Sequence, residues 1–454
     1  MKSAGAALLT DLYQLTMAQA YFELDMRHTA VFELFVRRLP PTRHFLLAAG
    51  LEQALDYVET LRFSEDDLAF LDTLGTFRRD FLDYLGAVRF TGSVHAMREG
   101  TPFFANEPVA RVTAPILEAQ LLESRLLNIV HFQTVIASKA ARCVAVARGK
   151  QLVDFGMRRA HEADAGLFAA RAAYLAGFDA TATVEAGRRF GIPLSGTLAH
   201  SFIEAHDSEP QAFRDFVLSC TAPTTLLIDT YDSARGLQRV IALARELAAA
   251  GRQQGIRAVR IDSGDLAAQA RMARAELDAH GCGDIRIVLS GSLDEHLIDE
   301  LVSSAVPVDA FGVGTALDVS ADAPALDMAY KLQEYAGKPR RKRSPGKATW
   351  PGIKQVFRRR SCAGEYLCDR VARHDEPPSG EALLSEVMRD GHRSLPSPPL
   401  SALREHCARE LRALPPHLRE LRAAAAPYTV SISEALRSMA VSVDVASEGS
   451  HEPA

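Results

Sequence analysis

A run of small and hydroxylated residues, Leu194-Ser-Gly-Thr-Leu-Ala-His-Ser-Phe202, leads to a single histidine, His200. An imidazole at such a place can act as base, ligand or nucleophile toward phosphorus. A lone histidine in a half-apolar stretch is more often structural, so its company decides its weight. That company is a series of apolar runs that each end in polar residues. They finish as Asp154-Phe-Gly156, Gly196-Thr197, Asp229-Thr230, Asp262-Ser-Gly-Asp265, Ser290-Gly-Ser292 and Gly312-Val-Gly-Thr315. One such ending is ordinary turn chemistry. Six in succession point to a shared ligand rim, because parallel α/β folds bind at the carboxyl ends of their strands.

The residue types on this rim suit a phosphorylated sugar. Ser290-Gly-Ser292 and Gly312-Val-Gly-Thr315 let the backbone approach a phosphate, and a following helix N-terminus would add free amides. Neither is a Walker A loop. Ser344-Pro-Gly-Lys-Ala-Thr349 is no P-loop either, because Arg341 stands where its first glycine is required. Arg158 and Arg159 follow Asp-Phe-Gly. Arg260 shares a strand face with Ala258 and Asp262, so an inward guanidinium there must meet an anion or a buried acid. Asp229, Asp262 and Asp265 suit ribose hydroxyls or a Mg²⁺-diphosphate. Their spacing is not that of a metal cage, and Cys362, Cys368 and His374 lack a metal-ligand spacing. No resident metal is expected; Mg²⁺ would arrive with phosphates.

The elements that must position these residues follow from periodicity. From about residue 150, short apolar runs alternate with helical ones, which predicts a parallel sheet. The predicted strands are 151–155, 180–184, 194–198, 225–229, 258–262, 285–290 and 308–313. This count favours a closed or nearly closed α/β barrel over residues 136–330, with an open sheet as the alternative. Residues 1–135 mix helices (8–24, 46–61, 65–74, 115–138) with antiparallel-looking strands, an α+β domain. Residues 331–454 form a C-terminal region expected to pack partly on the N-terminal domain.

Composition sets outer limits. The 454 residues are 47% hydrophobic and 24% charged, with a formal net charge of −5. A mildly acidic chain offers no footprint for nucleic acid or an anionic membrane. Six scattered cysteines without Cys-x-x-Cys read as reduced thiols. The N-terminal apolar run is too short for a signal peptide, and no stretch reads as a membrane span. A cytoplasmic protein is expected.

Several stretches together resemble the nicotinate phosphoribosyltransferase family. They are Leu9-Thr-Asp-Leu-Tyr-Gln-Leu-Thr-Met17, Asp154-Phe-Gly-Met-Arg-Arg159, Gly196-Thr-Leu-Ala-His200, Leu227-Ile-Asp-Thr-Tyr-Asp232, Arg260-Ile-Asp-Ser-Gly-Asp265, Phe311-Gly-Val-Gly-Thr315, and Tyr330-Lys-Leu with Pro351-Gly-Ile-Lys-Gln-Val356. The resemblance implies the type II phosphoribosyltransferase fold, an irregular, open α/β barrel with an α+β N-terminal domain. It implies coupling of nicotinate to 5-phosphoribosyl 1-diphosphate, with ATP hydrolysis driving the reaction through a phosphohistidine at His200. Tyr13 and Phe155 would sandwich the pyridine ring, Tyr13 coming from the other subunit of a homodimer. Arg260 and Thr197 would meet nicotinate, and Arg158 would line the site. Asp229 and Asp262 would serve ribose, the developing positive charge or Mg²⁺-diphosphate. Gly291, Gly312, Gly314 and Thr315 would hold the 5-phosphate. A nicotinamide-using relative carries an Asp where Ala182 stands here, which favours nicotinate. The alternatives are that nicotinamide enzyme, a quinolinate-type enzyme that needs no ATP, and a non-catalytic sugar-phosphate binder.

Overall fold

The structure is a computed structural model that describes residues 7–251, 255–422 and 426–449. These group into two units: Met1–Val135 with Ala325–Ala454, and Ile136–Pro324.

The second unit is built on a six-stranded parallel sheet. Its order is Ala180–Thr181, Gln151–Asp154, Ala310–Val313, Arg286–Ser290, Ile256–Ile261 and Thr224–Leu227. The strands read as continuous apolar runs because both faces are covered, as in other parallel sheets. Leu152, Val259, Ile287, Leu289 and Phe311 are buried in this way. Helices Ala163–Ala176, Ser233–Ala249, Leu266–Ala279 and Glu295–Ser303 connect the strands. Three of them begin on an aspartate cap. Asp232 accepts from the Arg235 amide, Asp265 from Ala268, and Asp294 from His296 and Leu297. Such caps satisfy amides that the first helical turn leaves orphaned.

The sheet is an open half-barrel rather than a ring, and one expected strand is missing from it. Residues 194–198 form a loop, with Leu194 making a single bridge to Thr181. The ladder stops once the Ser195 amide has donated to the Thr181 carbonyl. Pro193 has no N–H to extend it, and Thr197 is taken by Arg260 instead. His200 then opens a short helix, His200–Glu204.

In the first unit, a seven-stranded antiparallel sheet centres on Thr29–Val36, flanked by Met328–Tyr335 and Pro108–Pro115. The sheet therefore takes strands from both ends of the chain. Phe32 and Tyr330 stack at 4.9 Å across one of these junctions. A second, four-stranded sheet contains Lys354–Arg360, Tyr366–Arg373 and Val430–Ile432. The expected helix 65–74 appears as Glu65–Thr73 under a Ser64–Asp67 capping box. The expected helix 46–61 is shortened. Leu46–Leu47 pairs with Pro102–Phe103, and the helix starts at Leu51 after Gly50 at φ +93°. A side chain at Gly50 would also press on the Ile129 carbonyl, at 3.0 Å. Among the described residues, one helix, Glu123–Ala147, is long and apolar enough to cross a membrane, and 78% of its apolar window is buried in the protein.

Within the second unit a buried ion cluster joins two helices. Glu295 is fully buried and meets Lys139 and Arg142, the latter at 2.8 Å, while Lys139 also meets Asp322 at 3.0 Å. Burial alone would raise the Glu295 carboxyl, but Lys139 and Arg142 hold it below its ordinary value. Removing one member of such a cluster strands the others. Glu295→Gln should cost about 3–5 kcal/mol in denaturant unfolding. The depressed carboxyl stabilises the fold above its unfolded pKa of 4.5 and is lost as pH falls through the lower folded value. Below pH 4.5 the variant's stability should therefore fall less steeply than that of the unmodified protein.

Candidate active site

Arg260 is the hub of the second unit's rim. It lies one residue before the end of strand Ile256–Ile261, and its side chain is 14% exposed. Its Nε donates to Ser290 Oγ at 2.8 Å, one terminal nitrogen donates to Thr197 Oγ1 at 2.5 Å, and the other donates to Asp262 Oδ1 at 2.8 Å. Ser290 Oγ also donates to Asp262 Oδ1 at 2.6 Å. A guanidinium has five N–H donors, so two remain for a ligand, one on each terminal nitrogen. The guanidinium carbon lies 5.6 Å from the centre of the Phe155 ring. This is cation–π range, and it aligns a flat aromatic surface with a paired donor fork.

The two acids on this rim differ from those nearby. Asp265 is spent as a helix cap. Asp229 and Asp262 are not. Asp229 Oδ2 accepts from the Asp262 amide at 2.9 Å and from Ser263 Oγ at 2.6 Å. Its Oδ1 is buried and has no hydrogen-bond partner among the described residues. An orphaned buried acceptor of this kind suits a hydroxyl or a hydrated cation brought in by a ligand. Burial works against the charge on Asp262, but Ser290, Arg260 and His200 outweigh it and hold the carboxyl below its usual range. His200 is half-buried, with Nδ1 3.1 Å from Thr230 Oγ1.

The glycines report close approach. Gly291 sits at φ +91°, and a Cβ there would fall 1.9 Å from the Asp262 carbonyl oxygen. A Cβ on Gly312 would meet the Phe155 ring at 2.4 Å. Gly314 and Thr315 begin the short helix Thr315–Asp318, whose first residue is exposed. The helix after Gly291 differs from expectation. Asp294 already covers its first amides, so a phosphate would have to use the loop rather than the helix end.

The structure thus brings together Phe155, Thr197, Arg260 and Asp262 in direct contact. Asp229 joins them through the Asp262 backbone, and His200 is near enough to help lower the Asp262 carboxyl. Arg158 is exposed on the turn Met157–Arg159 and makes no hydrogen bond to the cluster. Tyr13 lies in the first unit, exposed in the first turn of helix Leu12–Glu23. Sequence reasoning missed Ser290, Ser263 and Thr230 as working side chains. Each adjoins a residue it did single out, so the hydroxyl at each strand end was the available signal. Ala182 is exposed just past strand Ala180–Thr181, with its amide on the Asp154 carbonyl at 2.9 Å.

An open parallel half-barrel with an anion-ready arginine, rim acids and glycine loops has the type II phosphoribosyltransferase architecture. The chain belongs to the nicotinate phosphoribosyltransferase family. The family's N-terminal domain matches residues 8–131, its central region residues 150–339, and its C-terminal domain residues 379–440. The chain is 48% identical over 429 residues to nicotinate phosphoribosyltransferase pncB2 of Mycobacterium tuberculosis, covering 94% of this chain and 92% of that one. It is 32% identical to the human nicotinate phosphoribosyltransferase, covering 96% of each. The crystal structure of human nicotinic acid phosphoribosyltransferase superposes with a TM-score of 0.83 at 30% identity, over 96% of this chain and 99% of that one.

Filling the space beside Phe155 should damage the site without unfolding the protein. Gly312→Ala should lower kcat/KM on the order of 10²-fold by displacing the ring. Thermal melting that matches the unmodified protein would confine the loss to the site.

Proposed function

We propose that the protein is an ATP-coupled nicotinate phosphoribosyltransferase. It joins nicotinate to 5-phosphoribosyl 1-diphosphate, releasing nicotinate mononucleotide and diphosphate. The observation that carries this reading is the Arg260 fork over the Phe155 ring. It fits a ligand that is both flat and carboxylated. The two free guanidinium donors pair with the carboxylate, the ring lies on Phe155, and the Thr197 hydroxyl helps to hold the guanidinium in place. Ala182, rather than an acid, avoids repelling the carboxylate.

The pyridine nitrogen attacks C1 of the ribose as the bond to diphosphate breaks. The leaving diphosphate takes the electron pair, and its Mg²⁺, carried in with the phosphates, offsets the charge. Asp262, kept ionised by Arg260, and Asp229, with its free Oδ1, face the ribose and the developing positive charge. Gly291, Gly312, Gly314 and Thr315 take the 5-phosphate on backbone amides, and Arg158 lines the approach. His200 Nε2 attacks the γ-phosphorus of ATP, ADP leaves, and the phosphohistidine is later hydrolysed. Thr230 fixes the ring by holding Nδ1. The enzyme works in the cytoplasm as a homodimer, in which Tyr13 of one subunit covers the base in the other.

Incubation with γ-labelled ATP should put acid-labile label on the native chain and none on His200→Ala. Nicotinate mononucleotide formation should be ATP-stimulated only in the former. Equal labelling of both would remove the histidine assignment, and faster turnover of nicotinamide would remove the base assignment.

Shared sites have their own test. Tyr13→Ala and Arg260→Ala homodimers should each be nearly inactive. Subunit mixing should restore roughly a quarter of native activity, since half the dimers then carry one intact site of two.

Arg260→Gln should shift the acid limb of the kcat/KM profile to higher pH, because Asp262 loses the cation that lowers it. An unmoved limb would show that Asp262 does not set it.

A further inference from the structure

Besides the ion-paired Glu295 and Glu209, Asp154 and Asp318 of the second unit are enclosed and lie outside the reacting cluster. Asp154 ends strand Gln151–Asp154, and Asp318 ends the short helix that begins at Thr315. They are 1% and 2% exposed. Asp154 is well supplied as an anion. Its Oδ1 accepts from the Gly156 amide at 2.8 Å, and its Oδ2 accepts from Thr181 Oγ1 at 2.7 Å. Both oxygens of Asp318 are buried and accept no hydrogen bond from any described donor. Gly156 bonds Asp154 through its amide and lies against Asp318 at its Cα, so the two carboxyls are neighbours and each feels the other's charge. Two neighbouring buried carboxylates cannot both stay ionised. The proton belongs on the one without donors. Burial and the Asp154 charge accordingly push Asp318 far above the usual carboxylate range.

The pair sits where two parts of the rim meet. A Cβ on Gly156 would fall 2.2 Å from the Asp318 carboxyl carbon, so the backbone just after Phe155 rests on that acid. The Phe155 amide donates to the Val313 carbonyl at 2.8 Å, and the Phe155 ring packs over Gly312. The helix carrying Asp318 starts from Gly314, in the same loop.

We propose that Asp318 is a permanently neutral carboxylic acid whose O–H donates to the Asp154 carboxylate. The resulting link ties the Phe155–Gly156 turn to the Gly312–Thr315 loop, so that the floor under the base and the phosphate loop keep one spacing. Asp318 is a positioning residue: it touches no substrate and acts through Phe155. The kinetic part of this inference rests on the reading of Phe155 as the floor for nicotinate; the protonation part does not.

The experiment compares the full-length protein with Asp318→Asn, which keeps a donor, and Asp318→Leu, which keeps the bulk without one. The unmodified protein should show the infrared carbonyl band of buried protonated carboxylic acid at neutral pH, and its difference spectrum against Asp318→Asn should show the loss of one component of that band, other buried acids such as Glu107 cancelling. Asp318→Asn should hold KM for both substrates within about twofold, while Asp318→Leu raises KM for nicotinate about tenfold or more. No such component in the difference spectrum would overturn the proposal. So would Asp318→Asn impaired as deeply as Asp318→Leu at an unchanged melting temperature, or native KM values in Asp318→Leu. If Asp318→Leu does not fold, the band and Asp318→Asn still decide. Absence of nicotinate turnover in the unmodified protein would fail the functional reading and leave the band to judge the pair.

Discussion

A half-buried guanidinium must be paired, and the rim of the parallel sheet is arranged around that requirement at Arg260. An unpaired cation at such a position is costly, and pairing it with a single acid would neutralise the site. Here the pairing is spread over Asp262, Ser290 and Thr197, which come from three separate segments. The three contacts together use three of the five donors and leave two. The hub is stable enough to hold its geometry yet retains a fork for a ligand anion. Because Thr197 is drawn to Arg260, residues 194–198 leave the sheet, and this departure sets where His200 begins its helix.

The same economy distinguishes the aspartates. Asp232, Asp265 and Asp294 satisfy helix amides, the common fate of an acid just after a parallel strand. Asp229 and Asp262 escape it because their partners are a neighbouring loop amide, serine hydroxyls and a guanidinium. Asp154 and Asp318 show a third outcome, a buried pair in which donor supply decides which acid keeps its charge. Seven acids of similar chemistry thus divide into caps, rim groups and a buried pair according to which hydrogen-bond donors reach them.

The glycines carry the steric half of the design. Gly291 needs a positive φ and has no room for a Cβ beside the Asp262 carbonyl. Gly312 and Gly156 are required by their neighbours, a phenyl ring and a carboxyl, rather than by φ. The rim is therefore close-packed from below, and a methyl group added there is felt at the ligand surface.

Much of this was legible in the residues alone. The alternation of apolar runs gave the parallel sheet, because strands buried on both faces must be apolar throughout. The polar endings gave the rim, and the period-two pattern aimed Arg260 inward beside Asp262. The capping box at Ser64 is equally local. What spacing does not encode is which polar group reaches which. Whether Asp265 caps a helix while Asp262 meets an arginine depends on the angle at which each chain leaves its strand. The loop at 194–198 has the pattern of a strand, since its competitor, a guanidinium 63 residues from Thr197, is invisible to local pattern. Asp318 gave no signal at all, because a carboxyl is recognisable as a neutral acid only when folding has buried it beside another and withheld every other donor.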